Sequence, residues 1–486
     1  MSDYAVTPRS EDFSAWYNEI VVKSDLVDSP ERTPVRGCMI IKPYGYEIWE
    51  GIRNGLDQRF KATGHQNAYF PLFIPMSFLQ KEADHVEGFA PELAVVTHGG
   101  GKELEEPYVV RPTSETIIGD AMSRWIQSYR DLPLLLNQWA NVVRWEKRTR
   151  PFLRTSEFLW QEGHTAHATF DDAQAETMQM LDIYADFAIN EAAIPVIKGQ
   201  KSDQERFAGA HASYTIEAMM GDGKALQAGT SHNLGQNFAK AFDITYTDVN
   251  NEPQHCWTTS WGVSTRMIGA IIMAHGDDKG LRLPPRLAPI QAVVVPIWKN
   301  ESEAAVVLPV AQELAAKLRE AGVRLHIDTR EGLSPGFKYN DWEMRGVPMR
   351  VEVGPKDVQN GTAAIARRDI PGREGKQFVE QSLVVARVLT LLDEVQAGLL
   401  QQATAFRDSH LHEVVGDYDR FTEIVRGGEW ALTWFSGEAE AEAKIKEDCQ
   451  AVSRCFPLEQ PYAGQSGPCI VTGKPATRMA YFAKAY

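Results

Sequence analysis

The chain has 486 residues, 43% hydrophobic and 24% charged, with ordinary glycine and proline contents; this excludes global disorder and predicts two to four domains with sizeable cores. Its 65 acidic and 50 basic residues leave a net charge of −15, which excludes a general attraction for nucleic acid, so any such partner must meet a local cluster of cations. The five cysteines, Cys38, Cys256, Cys449, Cys455 and Cys469, are an odd number in a long chain, which argues against a disulfide framework.

The opening Met1-Ser2-Asp3-Tyr4 lacks the basic stretch and apolar run of a secretory leader. No run of about 18 apolar residues offers a membrane span. A cytoplasmic protein with no membrane partner is expected. The first strong periodicity covers residues 45–63, with Ile48, Ile52, Leu56 and Phe60 four apart and Gly64 as the stop, which predicts an amphipathic helix. Strand-like runs follow at 107–111, 141–146 and 156–162, a helix at 171–192, and further strands at 212–220 and 224–229. Together they predict an α+β domain on an antiparallel sheet. Residues 283–289, Leu-Pro-Pro-Arg-Leu-Ala-Pro, continue neither helix nor central strand and read as a crossing between domains.

Beyond that crossing the rhythm changes. A buried-strand run at 291–297 precedes a helix at 302–321, with Ser302 as its cap and Gly322 as its stop. A strand at 323–328, a helix at 336–345, strands at 349–353 and 362–367 and a closing helix at 378–397 complete a small α/β domain with a partly parallel sheet. A second border falls near 398–410, and the mixed tail contains an acidic helix at 438–448. The expected units are 1–288, 289–397 and 398–486.

Four segments place polar groups inside apolar runs, where a charge is costly without a partner or a ligand. In Arg111-Pro112-Thr113-Ser114-Glu115, Thr113 and Glu115 read two ways. On a continuing strand they face one side and suit an ammonium or secondary amine; alternatively Thr113 caps a helix. In 142–164 two apolar strands flank a loop, and residues 144–154 hold five cations against one anion. Lys147 and Arg148 fit a solvated tip. Arg144 and Arg154 adjoin apolar strand residues and suit two-pronged phosphate binding. In 226–238, Gly229 permits close backbone approach, while Gln227, Thr230 and His232 offer side-chain partners or simply form a polar loop. In 260–271, Arg266 opens an apolar helix, as an ordinary cap or as part of an anion site. No GxxxxGK[ST], GxGxxG or GxSxG motif supports a P-loop, Rossmann or hydrolase reading, and Gly99-Gly100-Gly101-Lys102 reads as a hairpin loop.

Taken in order, RPTSE, VVRWE, FLRTSEFLWQEGH, AGTSHNLGQNF and SWGVSTR resemble the signature of the prolyl-tRNA synthetases, class IIa aminoacyl-tRNA synthetases. Residues 45–76, with Tyr69-Phe70-Pro71-Leu72, resemble class II motif 1; 142–164 resemble motif 2 and 260–276 motif 3. The 63 residues from His164 to Gln227 leave no room for the large editing insertion of the bacterial branch, so the architecture resembles the archaeal/eukaryotic-type branch. The resemblance implies a class II catalytic core, an anticodon-binding domain and a tail domain related to a zinc-binding one. It implies proline activation by ATP with Mg²⁺, transfer to tRNA(Pro), and a homodimer built on motif 1.

The resemblance also assigns roles. Thr113 and Glu115 would hold the imino group of proline. Trp160, Glu162, His164, Phe207, His232, Ser260 and Gly262 would shape its pocket, with Arg144 bridging the substrate carboxylate and the ATP α-phosphate. Arg154, Thr155, Phe158, Gln227, Thr230, Ser264 and Arg266 would contact ATP, with Mg²⁺ near Gln227. Ser264 stands where the family more often has threonine, a change that keeps the hydroxyl. Because the substrate carboxylate is itself the nucleophile, catalysis needs position and charge rather than a protein base, and Arg144 and Arg266 would supply the charge. Residues 345–376 hold seven cations and four anions, a local excess that suits phosphate contact or a solvated face. In the tail, the related four-cysteine site retains Cys469, with Thr472 where CxxC would close. A structural zinc needs four ligands, so no zinc is expected.

Overall fold

The computed structural model describes residues 5–81 and 93–486; the opening tetrapeptide read for a leader lies outside them. Helix α1, Pro43–Ala62, begins on a proline suited to the first turn and buries Ile48, Ile52, Leu56 and Phe60. Gly64, at φ 89°, follows its C-terminus. Helix α2 covers Glu115–Trp125, strand β1 Leu134–Val143, strand β2 Glu157–His167 and helix α3 Phe170–Asn190. Strands β3 (Val196–Gln200), β4 (Ala212–Met219), β5 (Ala225–Gly235) and β6 (Trp257–Ser264) follow, then helix α4, Arg266–His275.

The described residues place β1–β6 in one sheet in the order β1-β2-β6-β5-β4-β3, each neighbouring pair antiparallel. Its α1/α3 face is sealed by Trp261, Tyr184 and Phe60, and Tyr184 donates to Gln161 Oε1 at 2.7 Å. Gly163 is required there, because a Cβ would stand 2.1 Å from the Trp261 ring. The opposite face carries the site.

Residues 292–380 build a five-stranded sheet whose first three strands are parallel and the remainder antiparallel. Helix α5, Glu301–Glu320, is capped by Asn300, which accepts from Glu303 N at 3.0 Å, and not by Ser302. The closing helix expected at 378–397 is displaced. Lys376–Glu380 is the fifth strand, and helix α6 runs Val384–Ser409, continuing through residue 397. The cations of 345–376 largely face carboxylates: Arg345 meets Asp341, Arg350 meets Glu343 and Glu352, Arg367 meets Asp369 and Glu394, Arg368 meets Asp277, and Lys376 meets Glu352. These pairs give five of the seven cations a structural role, and Lys356 and Arg373 are exposed outside them.

The tail is joined to the first domain's sheet. Strand β7, Val452–Pro457, pairs with β3, setting Phe456 against Gln200 and Pro457 against Gly199. A side chain at Gly199 would meet Cys455 Sγ at 2.4 Å, so glycine permits this close crossing. The acidic helix spans Ala439–Cys449.

Candidate active site

Register across the sheet assembles the site. Alternate residues of a strand share a face. Pairing of β2 with β6 sets His164 opposite Ser260, Glu162 opposite Gly262 and Trp160 opposite Ser264. Pairing of β6 with β5 continues these rows to His232 and Thr230, and β4 adds Ser213 opposite His232. With Thr113, Glu115, Arg144, Phe158, Phe207, Gln227 and Arg266 they line one cavity of about 290 Å³, near the lower end of ligand-pocket sizes.

One end of the cavity is rich in carboxylates. Thr113 donates to Glu115, and both are buried. The cap reading of Thr113 does not hold. Ser114 occupies the N-cap position of α2, yet its hydroxyl turns away to Glu162 Oε1 at 2.6 Å. Gln138 Nε2 donates to the same oxygen at 2.8 Å, and His164 Nε2 lies 3.0 Å from Oε2. Burial disfavours charge on His164, but the Glu162 hydrogen bond and charge outweigh it and raise the imidazole above its ordinary range. Burial dominates at His232 and, with the nearby Lys201 and His164 charges, lowers it to about 4, so the ring is neutral near pH 7. Its Nδ1 lies 2.8 Å from Ser213 Oγ, and Phe207 stacks on it with centroids 4.7 Å apart.

The other end holds cations. Arg144 leaves β1 and donates to Pro112 O at 3.1 Å, with its guanidinium 5.5 Å from the ring centres of both Phe158 and Trp160. Arg266 stands at the first turn of α4 and donates to Leu153 O at 3.1 Å. Burial, then Arg154 and Arg144, lower it to about 10, which leaves it charged at neutral pH. A two-ended cavity of this kind suits a ligand that is cationic at one end and anionic at the other.

Arg154 and Thr155 do not line the cavity. Arg154 pairs with Glu146 at 3.2 Å across the loop, and Thr155 donates to Glu157 O at 2.7 Å. Among the lining residues that escaped sequence reasoning, Lys201, Glu205 and Ser213 bring polar or charged groups. Lys201 meets Glu217 at 2.9 Å, and Glu217 in turn meets Arg454 of β7. The signal for this group was an acidic residue inside the apolar strand 212–219. Arg111, of the segment 111–115, is structural: it is buried and donates to the carbonyls of Asn141 and Phe70 at 2.8 Å each.

Among the described residues no group of three or more His, Cys, Asp or Glu side chains is gathered as for a metal ion. Cys469 lies 3.4 Å from Ser436 Oγ; burial raises its thiol, but hydrogen bonds from Ser436 and Thr472 outweigh this and bring it to about 7. Gln227 brings an uncharged amide to the cavity. Among the described residues no helix is long and apolar enough to cross a membrane.

Three family models match the chain: tRNA synthetase class II core domain (G, H, P, S and T) over 96–275, anticodon binding domain over 291–387, and prolyl-tRNA synthetase, C-terminal, over 418–486. The chain is 59% identical to a proline–tRNA ligase of Roseiflexus sp. (strain RS-1) and 56% identical to one of Chloroflexus aurantiacus (strain J-10-fl), with complete coverage of both chains in each case. It is 55% identical to the chloroplastic/mitochondrial proline–tRNA ligase of Arabidopsis thaliana, over all of this chain and 89% of that one.

Proposed function

The chain belongs to the class II prolyl-tRNA synthetases, and on that premise we propose how its cavity performs the reaction. The enzyme activates L-proline with ATP to prolyl-adenylate, releasing pyrophosphate, and transfers proline to tRNA(Pro). In the first step a proline carboxylate oxygen forms a bond to the α-phosphorus while the bond to the leaving pyrophosphate breaks. In the second, a hydroxyl of the terminal tRNA ribose attacks the activated carbonyl and AMP leaves.

The carboxylate end receives the secondary ammonium of proline, through Thr113 and Glu115 with Glu162 and His164 behind them. Neutral His232, Phe207, Trp160, Ser260 and Gly262 bound the five-membered ring. Arg144 meets both the proline carboxylate and the α-phosphate, which fixes the angle of attack and offsets charge developing on the phosphate. Phe158, Gln227, Thr230, Ser264 and Arg266 receive the nucleotide, with Arg154 and Thr155 at its outer margin. Mg²⁺ would be held chiefly by the ATP phosphates, near Gln227, because a lone neutral amide is a weak ligand for this hard cation; it would neutralise phosphate charge.

Residues 1–288 form the catalytic unit, 289–397 the anticodon-binding unit and 398–486 the tail. The chain acts in the cytoplasm as a homodimer through the motif 1 region. Tyr69 and Phe73 support this pairing, being 74% and 47% exposed. The observation that carries the site assignment is the gathering of Thr113, Arg144, His232 and Arg266 around one cavity. Amino-acid-dependent ATP–pyrophosphate exchange tests it: Thr113→Val raises the KM for proline with little change for ATP. An unchanged proline KM rules the assignment out.

A further inference from the structure

The cavity wall between β3 and β4 lacks regular structure of its own, yet it supplies Lys201, Glu205 and Phe207 to the cavity. Its anchors come from the tail. Lys201 Nζ donates to Glu217 Oε1 at 2.9 Å, while Arg454 of β7 donates to Glu217 Oε2 through Nε at 3.0 Å and Nη2 at 2.8 Å. One residue on, Ser202 Oγ donates to Glu442 Oε1 at 3.2 Å, and Ser453 of β7 donates to the same oxygen at 2.5 Å. Glu217 is fully buried, and Lys201 and Arg454 are 6% and 5% exposed. A buried carboxylate between two buried cations holds its geometry tightly: without Glu217 both cations are unpaired, and without Arg454 the Oε2 atom loses both its donors and Glu217 is held by Lys201 and Thr215 on Oε1 alone. The chain then continues from Ser202 to Phe207, whose N–H donates to Ser213 Oγ at 3.0 Å and whose ring stacks on His232.

We infer that Arg454 is a positioning residue for the amino-acid pocket. By fixing Glu217 it fixes Lys201 and the wall that carries Phe207, so the tail sets proline affinity without touching proline. The inference rests on the reading of this cavity as the proline site. It gives the tail a role in amino-acid binding that needs no metal.

The test is proline-dependent ATP–pyrophosphate exchange by the full chain, with KM measured separately for proline and ATP. Arg454→Met, which keeps the stem and removes the charge, raises the proline KM about tenfold, as losses of supporting contacts do, while the ATP KM stays within about twofold. Arg454→Lys keeps the charge and loses the fork, so its rise is smaller, about threefold. Should Arg454→Met fail to fold, Arg454→Lys decides. An unchanged proline KM in the folded variants, or equal rises for proline and ATP, overturns the inference. Thr113→Val separates the two readings. If it raises the proline KM while the Arg454 variants do not, only the positioning role fails; if it too leaves KM unchanged, the pocket assignment fails.

Discussion

Two glutamates on the same sheet, Glu162 and Glu217, are both buried. Their surroundings differ. Glu162 is held by a serine hydroxyl, a glutamine amide and a histidine, at the wall of the cavity. Glu217 sits between Lys201 and Arg454, and burial, which would raise its carboxyl, is outweighed by those two charges, which bring it below the usual range. Hydrogen-bond donors that are mostly neutral orient a carboxylate and leave its charge to act on a ligand. Two cations over-neutralise it and turn it into a fastener. On the proposed reading the same residue type serves recognition in one place and construction in the other.

The sharpest way to break this comparison is Glu217→Gln. It leaves two buried cations without a carboxylate and costs about 3–5 kcal/mol of folding stability, measured by urea unfolding; a loss below about 1 kcal/mol would remove the fastener role. On the recognition side, Arg144→Ala lowers exchange by about 10²–10³-fold, in the range of lost transition-state donors, while its urea midpoint stays near wild type. Glu162→Gln keeps the shape and removes the charge; the proline KM rises about tenfold, in line with loss of a supporting contact, with a smaller stability change than Glu217→Gln.

The smallest effect is a pH dependence. His164 titrates above its ordinary 6.5 in the folded protein, through Glu162 acting against burial. Its contribution to stability is therefore complete below pH 6.5 and is lost as pH rises through the raised value. The stability difference between wild type and His164→Gln is thus largest in mildly acidic buffer and shrinks toward alkaline pH. A difference that grows with pH would show that the pair is not charged.

Much of the site was legible only through the ordered motifs and the family they resemble, not from the local pattern of each strand. The resemblance put Glu162 and His164 in the pocket, and their spacing of two on β2 sets them on one face; the two strands read in 142–164 pair antiparallel as β1 and β2. Arg266 at the head of an apolar helix stood out locally, as a cap or as part of an anion site, and the resemblance chose between the two. The pairing of Arg454 with Glu217 was not legible, because 237 residues separate them and neither segment hints at the other. The pairing within 345–376 was hidden for a related reason: several of its partners, Asp277, Asp341 and Glu394, lie outside that window. The helix placed at 378–397 absorbed a strand, since Phe378 and Val379 suit either structure until Thr362–Arg367 offers its edge for pairing.

The most direct test of the account is a crystal structure of the full chain with a non-hydrolysable prolyl-adenylate analogue. The account predicts the pyrrolidine ring between Phe207, His232 and Trp160, its nitrogen at Thr113 and Glu115, and the phosphate within hydrogen-bond reach of Arg144. An analogue bound with its phosphate at the Glu162 end, or outside this cavity, would contradict it.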